Sequence, residues 1–172
     1  VPLTLTLADV DRLAAEAHRD QFDKIGVPYI EHVRAVSAGL APFGVGLRMA
    51  GLLHDVLEDT AVTVEDLARA GVPSSVIQLV QAVTMQNFDG YASMLDAVAG
   101  NYGAALIKIS DNAHNSHPER LARLPEDKRA RLAAKYHAAR GVLWPAVALE
   151  DVRAIVERVN PSLLPDANGP QR

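Results

Sequence analysis

Apolar residues recur every three or four positions along most of the chain, the repeat of helices with one buried face. Leu7, Val10, Leu13, Ala14 and Ala17 follow Thr6, which stands three residues before Asp9 like a capping box, and predict a helix over 6–22. After Gly26 and Pro28, the stripe Ile30, Val33, Val36 and Leu40 predicts a helix over 29–40. Pro42, Gly44 and Gly46 separate it from a third run, where Met49, Leu52, Leu53, Val56 and Leu57 predict one continuous helix from about 44 to 60. Thr63 and Asp66 repeat the capping pair, and Gly71 closes a short helix. Val76, Ile77, Leu79, Val80 and Val83 carry the next, over 74–84, and Gln86 to Gly90 reads as a polar loop. Further helices are predicted over 91–99, 104–115, 126–143 and 147–159, with Pro118 and Pro125 bracketing a connection and Trp144-Pro145 an interruption. Pro161, Pro165, Gly169 and Pro170 predict a disordered tail over 161–172. Ile107-Lys108-Ile109 is the nearest approach to a strand, so the expected fold is all-α, with one domain over 1–160.

Composition narrows the chemistry. The 172 residues, 49% hydrophobic, suffice for one domain with a sizeable core. There is no cysteine, so a metal would be held by His, Asp, Glu or backbone oxygen. The formal net charge is -4 and no long basic run is present, so no nucleic-acid partner is expected. No apolar run reaches membrane-spanning length and no charged-then-apolar leader opens the chain, although the start at Val1 leaves room for a removed leader. The expected setting is cytoplasmic and away from membranes; the pattern sets no oligomeric state.

The polar residues concentrate in a few places. His54, Asp55, Glu58 and Asp59 fall within six residues, and on one continuous helix they share a face. A polar face of this kind is ordinarily just solvated. Here three carboxylates repel one another with no Lys or Arg within a turn, which is destabilising unless a cation sits among them. Imidazole and carboxylate together suit divalent first-row metals. In the run 108–115, Asp111 shares a face with His114 and Asn115 and follows apolar Leu106, Ile107 and Ile109. A carboxylate so placed needs a partner, either a metal or Lys108. His32 stands alone on the second helix, and His18 and His137 read as surface or packing residues. His117, just before Pro118, stands where it would flank a site.

Taken together, His32, the pair His54-Asp55 and Asp111 resemble the H…HD…D signature of the HD superfamily of metal-dependent phosphohydrolases. Gly26-Val27-Pro28-Tyr29-Ile30-Glu31-His32 looks like GxPYIxH, Leu53 to Thr60 like LHDxxEDT, and Lys108 to Asn115 like KxxDxxHN. These mark the RelA/SpoT-type (p)ppGpp hydrolase domain and the small stand-alone alarmone hydrolases, over about residues 13–144. The resemblance implies an HD-domain helical bundle and an enzyme. It implies that His32, His54, Asp55 and Asp111 ligate one metal, by family habit Mn²⁺, with Fe or Zn as alternatives. Glu58 and Asp59 would be the acid/base pair, Lys24 would meet phosphate oxygens, and Asn115 would contact the nucleoside sugar. The implied reaction removes the 3′ pyrophosphate of (p)ppGpp, and no synthetase module is expected in the chain.

The sequence departs from that family where substrate is held. Asp23 stands where an Arg commonly precedes the residue matching Lys24, Asn112 replaces an Arg, and Met85 replaces the Lys of Val-Thr-Lys. Ser116-His117-Pro118 stands in place of Met-Arg-Thr. Three of these changes remove positive charge. They keep open a phosphohydrolase for another nucleotide or phosphate ester. A non-catalytic nucleotide-binding module is a third reading, against which Glu58-Asp59 argues.

Overall fold

The computed structural model describes residues 4–168. Among them every regular element is helical, apart from one isolated antiparallel bridge between Phe22 and Pro28. The order is α1 (Leu7–Ala17), α2 (Tyr29–Gly39), α3 (Val45–Leu53), α4 (Val56–Asp59), α5 (Val64–Arg69) and α6 (Ser74–Val83). Then follow α7 (Tyr91–Ala99), α8 (Tyr102–Asn115), α9 (Pro118–Ala122), α10 (Glu126–Leu143), α11 (Leu149–Val159) and α12 (Leu164–Ala167). Both expected capping boxes form: Thr6 with Asp9 opens α1, and Thr63 with Asp66 opens α5.

Two helices sit at the centre. α3 packs against α1, α2 and α6, and α8 against α2, α6, α7, α10 and α11. α8 buries Ala104 to Ile107 and Ile109 to Ala113, which leaves it almost no solvent face, as befits a helix enclosed by others. The approach of α2 to α3 is set by Gly51, where an added Cβ would lie 3.0 Å from the Ser37 Cα and 2.8 Å from Leu40 Cδ1. Ser37 also donates to the Arg48 carbonyl at 2.9 Å, tying the pair together. On the other side Ser110 of α8 donates to the Val36 carbonyl at 2.8 Å. Thus α2, α3 and α8, the elements bearing or adjoining the expected ligands, are fixed to one another by buried contacts.

Four expectations change. α1 ends at Ala17, not near Phe22, because His18 leaves helical geometry at φ -99, ψ 12. The run over 44–60 is not one helix. It breaks at His54 and Asp55, with Asp55 at φ -102, ψ -1, a sparsely populated backbone region frequented by site residues. The stretch after Thr84 holds a 3₁₀ turn, Met85–Asn87, rather than only loop. The tail is structured through Ala167: a 3₁₀ turn, Pro161–Leu163, leads into α12, and Leu163 and Ala167 are buried in contact with the core. Its prolines occupy first-turn positions, where a missing N–H costs nothing. The expectations for Gly169 and Pro170 lie outside the described residues.

Candidate active site

The break after α3 aims His54 and Asp55 inward, toward His32 of α2 and Asp111 of α8. Asp55 Oδ2 lies 2.9 Å from His54 Nε2 and 3.8 Å from His32 Nε2. Asp111 Oδ1 lies 3.1 Å from His32 Nε2 and 3.7 Å from His54 Nε2. Donor atoms bound to one ion at about 2.1 Å and at right angles stand about 3.0 Å apart, so these spacings suit a shared cation with modest adjustment. Among the described residues His32, His54 and Asp55 meet the geometry of a three-donor metal cluster, and the expected fourth ligand, Asp111, is not part of it.

The surroundings fix which atoms face the centre. His54 Nδ1 donates to the Gly51 carbonyl at 2.7 Å, which turns Nε2 inward. That Nε2 is buried, with Asp55 Oδ2 at 2.9 Å. Burial opposes charge on this ring, yet the Asp55 and Asp111 carboxylates outweigh it and lift the His54 pKa to about 10. A proton there and a divalent cation answer the same need, positive charge between two carboxylates. The donor set therefore fits a divalent metal. His32 Nδ1 meets His114 Nδ1 at 2.7 Å. Burial and the neighbouring His32 push His114 down to about 3, so His114 is neutral, and the Nδ1–Nδ1 hydrogen bond leaves His32 Nε2 to face the centre. Tyr29 donates to Asp55 Oδ2 at 2.7 Å. Asp111 accepts from Lys108 Nζ at 2.6 Å and from Asn115 Nδ2 at 2.9 Å. Lys108 and the histidines are thus both partners of Asp111; the two alternatives left by the sequence coexist. Against the cost of burial, these cations hold the Asp111 carboxyl well below its usual range.

Glu58 lines the same cavity as Asp55, whereas Asp59 lines a different one. Glu58 accepts from the Met85 backbone N–H at 2.6 Å and lines a cavity of about 270 Å³ with Asp55, Asp111, Lys24, Lys108 and Lys135. Burial, then the Asp55 and Asp59 charges, raise its pKa above the ordinary glutamate value. Asp59 accepts from Gln21 Nε2 at 3.1 Å and lines a second cavity of about 310 Å³ with Phe22, Asp23, Arg120 and Tyr136. Lys24, Tyr29, Asn115 and Tyr136 line both cavities, which makes them neighbours along one cleft. Asp23 holds the loop by accepting from the Ile25 and Val27 N–H groups and pairs with Arg120 Nη1 at 2.7 Å. Its negative charge is thereby countered from α9.

Several participants carried no clear sequence signal. Tyr29 and His114 lie inside the quoted motifs, and His114 shares the face of Asp111, but Tyr29 reaches from α2 to Asp55 and His114 from α8 to His32 of α2. His18 is buried, 2% exposed, and its Nδ1 lies 2.7 Å from Gln21 Oε1, so it steadies the residue that holds Asp59. The spacing of three between His18 and Gln21 was the available hint.

Over residues 12–156 the chain matches the HD domain, and it belongs to that family. It is similar to a GTP pyrophosphokinase of Streptomyces coelicolor, 32% identical over 187 residues, covering 90% of this chain and 22% of that protein. It is also similar to the guanosine-3′,5′-bis(diphosphate) 3′-pyrophosphohydrolase of Haemophilus influenzae, 34% identical over 134 residues, 70% of this chain and 19% of that one. The bifunctional (p)ppGpp synthase/hydrolase SpoT of Escherichia coli matches with the same identity and coverage, 34%, 70% and 19%. The chain spans about a fifth of the length of these curated relatives. A solved structure, described as a metazoan ortholog of SpoT that hydrolyzes ppGpp, shares the fold with a TM-score of 0.68 at 24% identity, covering 93% of this chain and 94% of that one. No helix among the described residues is long and apolar enough to cross a membrane.

Proposed function

We propose that this protein hydrolyses guanosine-3′,5′-bis(diphosphate), releasing pyrophosphate from the 3′ position and leaving GDP. One observation carries the reading: His32, the pair His54-Asp55 and Asp111 converge from three parts of the chain, and Asp55 and Asp111 line a cleft with Glu58, Lys24 and Asn115. The names of the Haemophilus influenzae pyrophosphohydrolase and the Escherichia coli synthase/hydrolase support this substrate.

The four converging side chains are assigned as ligands of one ion, Mn²⁺ by preference. When bound, the ion supplies positive charge to a phosphoryl oxygen and acidifies a water. Glu58, with Oε1 occupied by the Met85 N–H, takes the proton of the attacking water on Oε2. Its raised pKa brings it closer to the range in which a base works at neutral pH. Asp59, held by Gln21, orients that water or protonates the departing 3′ oxygen. Lys24 binds phosphate oxygen, and Asn115, on the same wall, binds the sugar. The water oxygen bonds to phosphorus, the bond to the 3′ oxygen breaks, and its proton balance passes through the two carboxylates. Work in the cytoplasm on a free nucleotide, without nucleic acid, follows from the same assignment.

The test is incubation of folded, Mn²⁺-loaded protein with ppGpp, followed by separation of GDP and pyrophosphate. Absence of both products refutes the reading. A second reading, a phosphohydrolase for a different nucleotide or ester, is favoured by one feature: at Asp23 the cleft presents a carboxylate neutralised by Arg120. Turnover of NADPH, another nucleotide or a phosphomonoester in preference to ppGpp would establish it.

A further inference from the structure

The sequence lacks basic residues at 23, 85 and 112, yet the cleft is not short of positive charge. Lys24, Lys108 and Lys135 all line the cavity that holds Asp55, Glu58 and Asp111. Lys108 is committed to Asp111. Elsewhere, Arg12, Arg19, Arg34, Arg69 and Arg120 each sit on a carboxylate. Lys24 and Lys135 make no ion pair among the described residues. The Lys135 ammonium stands 4.3 Å from the centroid of the Tyr91 ring, itself part of the cavity wall. An aromatic face holds an ammonium in place without neutralising it. Lys135 is thus positioned by α7 while its charge remains available.

Further cations accompany it. Lys128, Arg131 and Lys135 recur at three and four along α10, on one helix face. Lys24 and Lys135 line one cavity, and burial, then the charges of Lys135, Lys128 and Arg131, hold the Lys24 ammonium below its ordinary value. Like charges brought together cost stability and call for an anion.

We propose that Lys135, with Lys24 in the same cavity, binds the second phosphate group of a nucleoside phosphorylated at two positions, while the first lies at the His32–His54–Asp55–Asp111 cluster. This rests on the hydrolase reading above and deepens it. A phosphomonoester brings one phosphate to a cavity lined by both the carboxylates and Lys135, whereas a 3′,5′-bis(diphosphate) brings two separate phosphate groups. The charge missing at Met85, on the same cavity wall, is supplied from α10.

The test is equilibrium binding of GDP and of guanosine to the chelator-treated full chain, in wild type, Lys135→Met, Lys135→Arg and Lys24→Met, each first shown to melt cooperatively. GDP is the product, so its 5′ diphosphate reports on the Lys135 end without turnover. Lys135→Met should weaken GDP binding by roughly 10-fold or more, the scale of one charge-assisted hydrogen bond, and Lys24→Met similarly. Lys135→Arg should stay within about threefold, and guanosine binding should not change in any variant. Unchanged GDP binding in Lys135→Met overturns the proposal. So does an equal loss of guanosine, which marks a merely structural role, and so does a wild type that binds no GDP. If ppGpp is not cleaved but GDP binding depends on Lys135, the hydrolase reading falls and the phosphate site stands. If ppGpp is cleaved and GDP binding ignores Lys135, only the present proposal falls.

Discussion

Asp111→Ala separates two jobs that meet on one carboxylate. Asp111 Oδ1 faces His32 and His54, and Oδ2 accepts from Lys108 at 2.6 Å, with side-chain exposures of 15% for Lys108 and 10% for Asp111. Removing one member of such a pair strands the other charge, at about 3–5 kcal/mol for a fully buried pair. The residual exposure puts Asp111→Ala at the low end, about 3 kcal/mol. For a chain of this size that corresponds to a fall in Tm of roughly 6–12 °C. The double variant Asp111→Ala/Lys108→Met removes the stranded ammonium and should recover most of the loss. Neither variant should recover the metal. The assay is thermal melting by circular dichroism, first in chelator and then with excess Mn²⁺. Wild type should gain Tm on adding the ion, because binding stabilises only the folded state, and both variants should not. A wild-type Tm for Asp111→Ala in chelator would refute the ion-pair argument. A Mn²⁺-dependent rise in either variant would refute the ligand assignment.

Three further outcomes follow. Glu58→Gln should keep Mn²⁺ affinity while ppGpp turnover falls on the order of 10²-fold, measured by GDP release. Because burial raises Glu58 above 4.5, wild-type activity should decline as pH falls through a value higher than that, and the Gln variant should lack this acid limb. Mn²⁺ binding at pH 7 should release about one proton, since the cation displaces the one that Asp55 and Asp111 keep on His54. Affinity should therefore drop as pH falls; titration calorimetry in buffers of different ionisation enthalpy reads the proton directly, and zero release would exclude His54 as its source. Gly51→Ala should cost about 1–3 kcal/mol, seen in urea or thermal melts, because its Cβ meets the Ser37 backbone at 3.0 Å. Gly46→Ala, with nothing within 4 Å, is the control and should not destabilise.

Most helices were legible because burial imposes a period on sequence, as at Val33, Val36 and Leu40 or along α8. The misses share a cause. At His54-Asp55 the apolar period runs on through Leu52, Leu53, Val56 and Leu57, so nothing in the pattern marks a break; the turn is held by the His54 ring reaching the Gly51 carbonyl. In the tail, Pro161 and Pro165 suggested disorder, whereas they open short helices that bury Leu163 and Ala167. The candidate donors were legible as motifs. Their supports were not, since Tyr29 to Asp55, His114 to His32 and Gln21 to Asp59 link residues 26, 82 and 38 positions apart. Lys135 carried no motif at all; its meaning comes from Tyr91 beneath it.

The broken helix also resolves a difficulty in the sequence. Four polar groups on one face would hold three carboxylates side by side, each raising the cost of ionising the next. The turn at 54–55 divides them. Asp55 goes inward to the histidines, Glu58 to the Met85 N–H, and Asp59 outward to Gln21. The three carboxylates then meet three environments: Asp55 is drawn below its ordinary range by His54 despite burial, while Glu58 is pushed above its own. A group that stays ionised suits a cation ligand, and one that takes up a proton more readily suits a base. The proposed division of labour between ligand and base rests on this difference in surroundings.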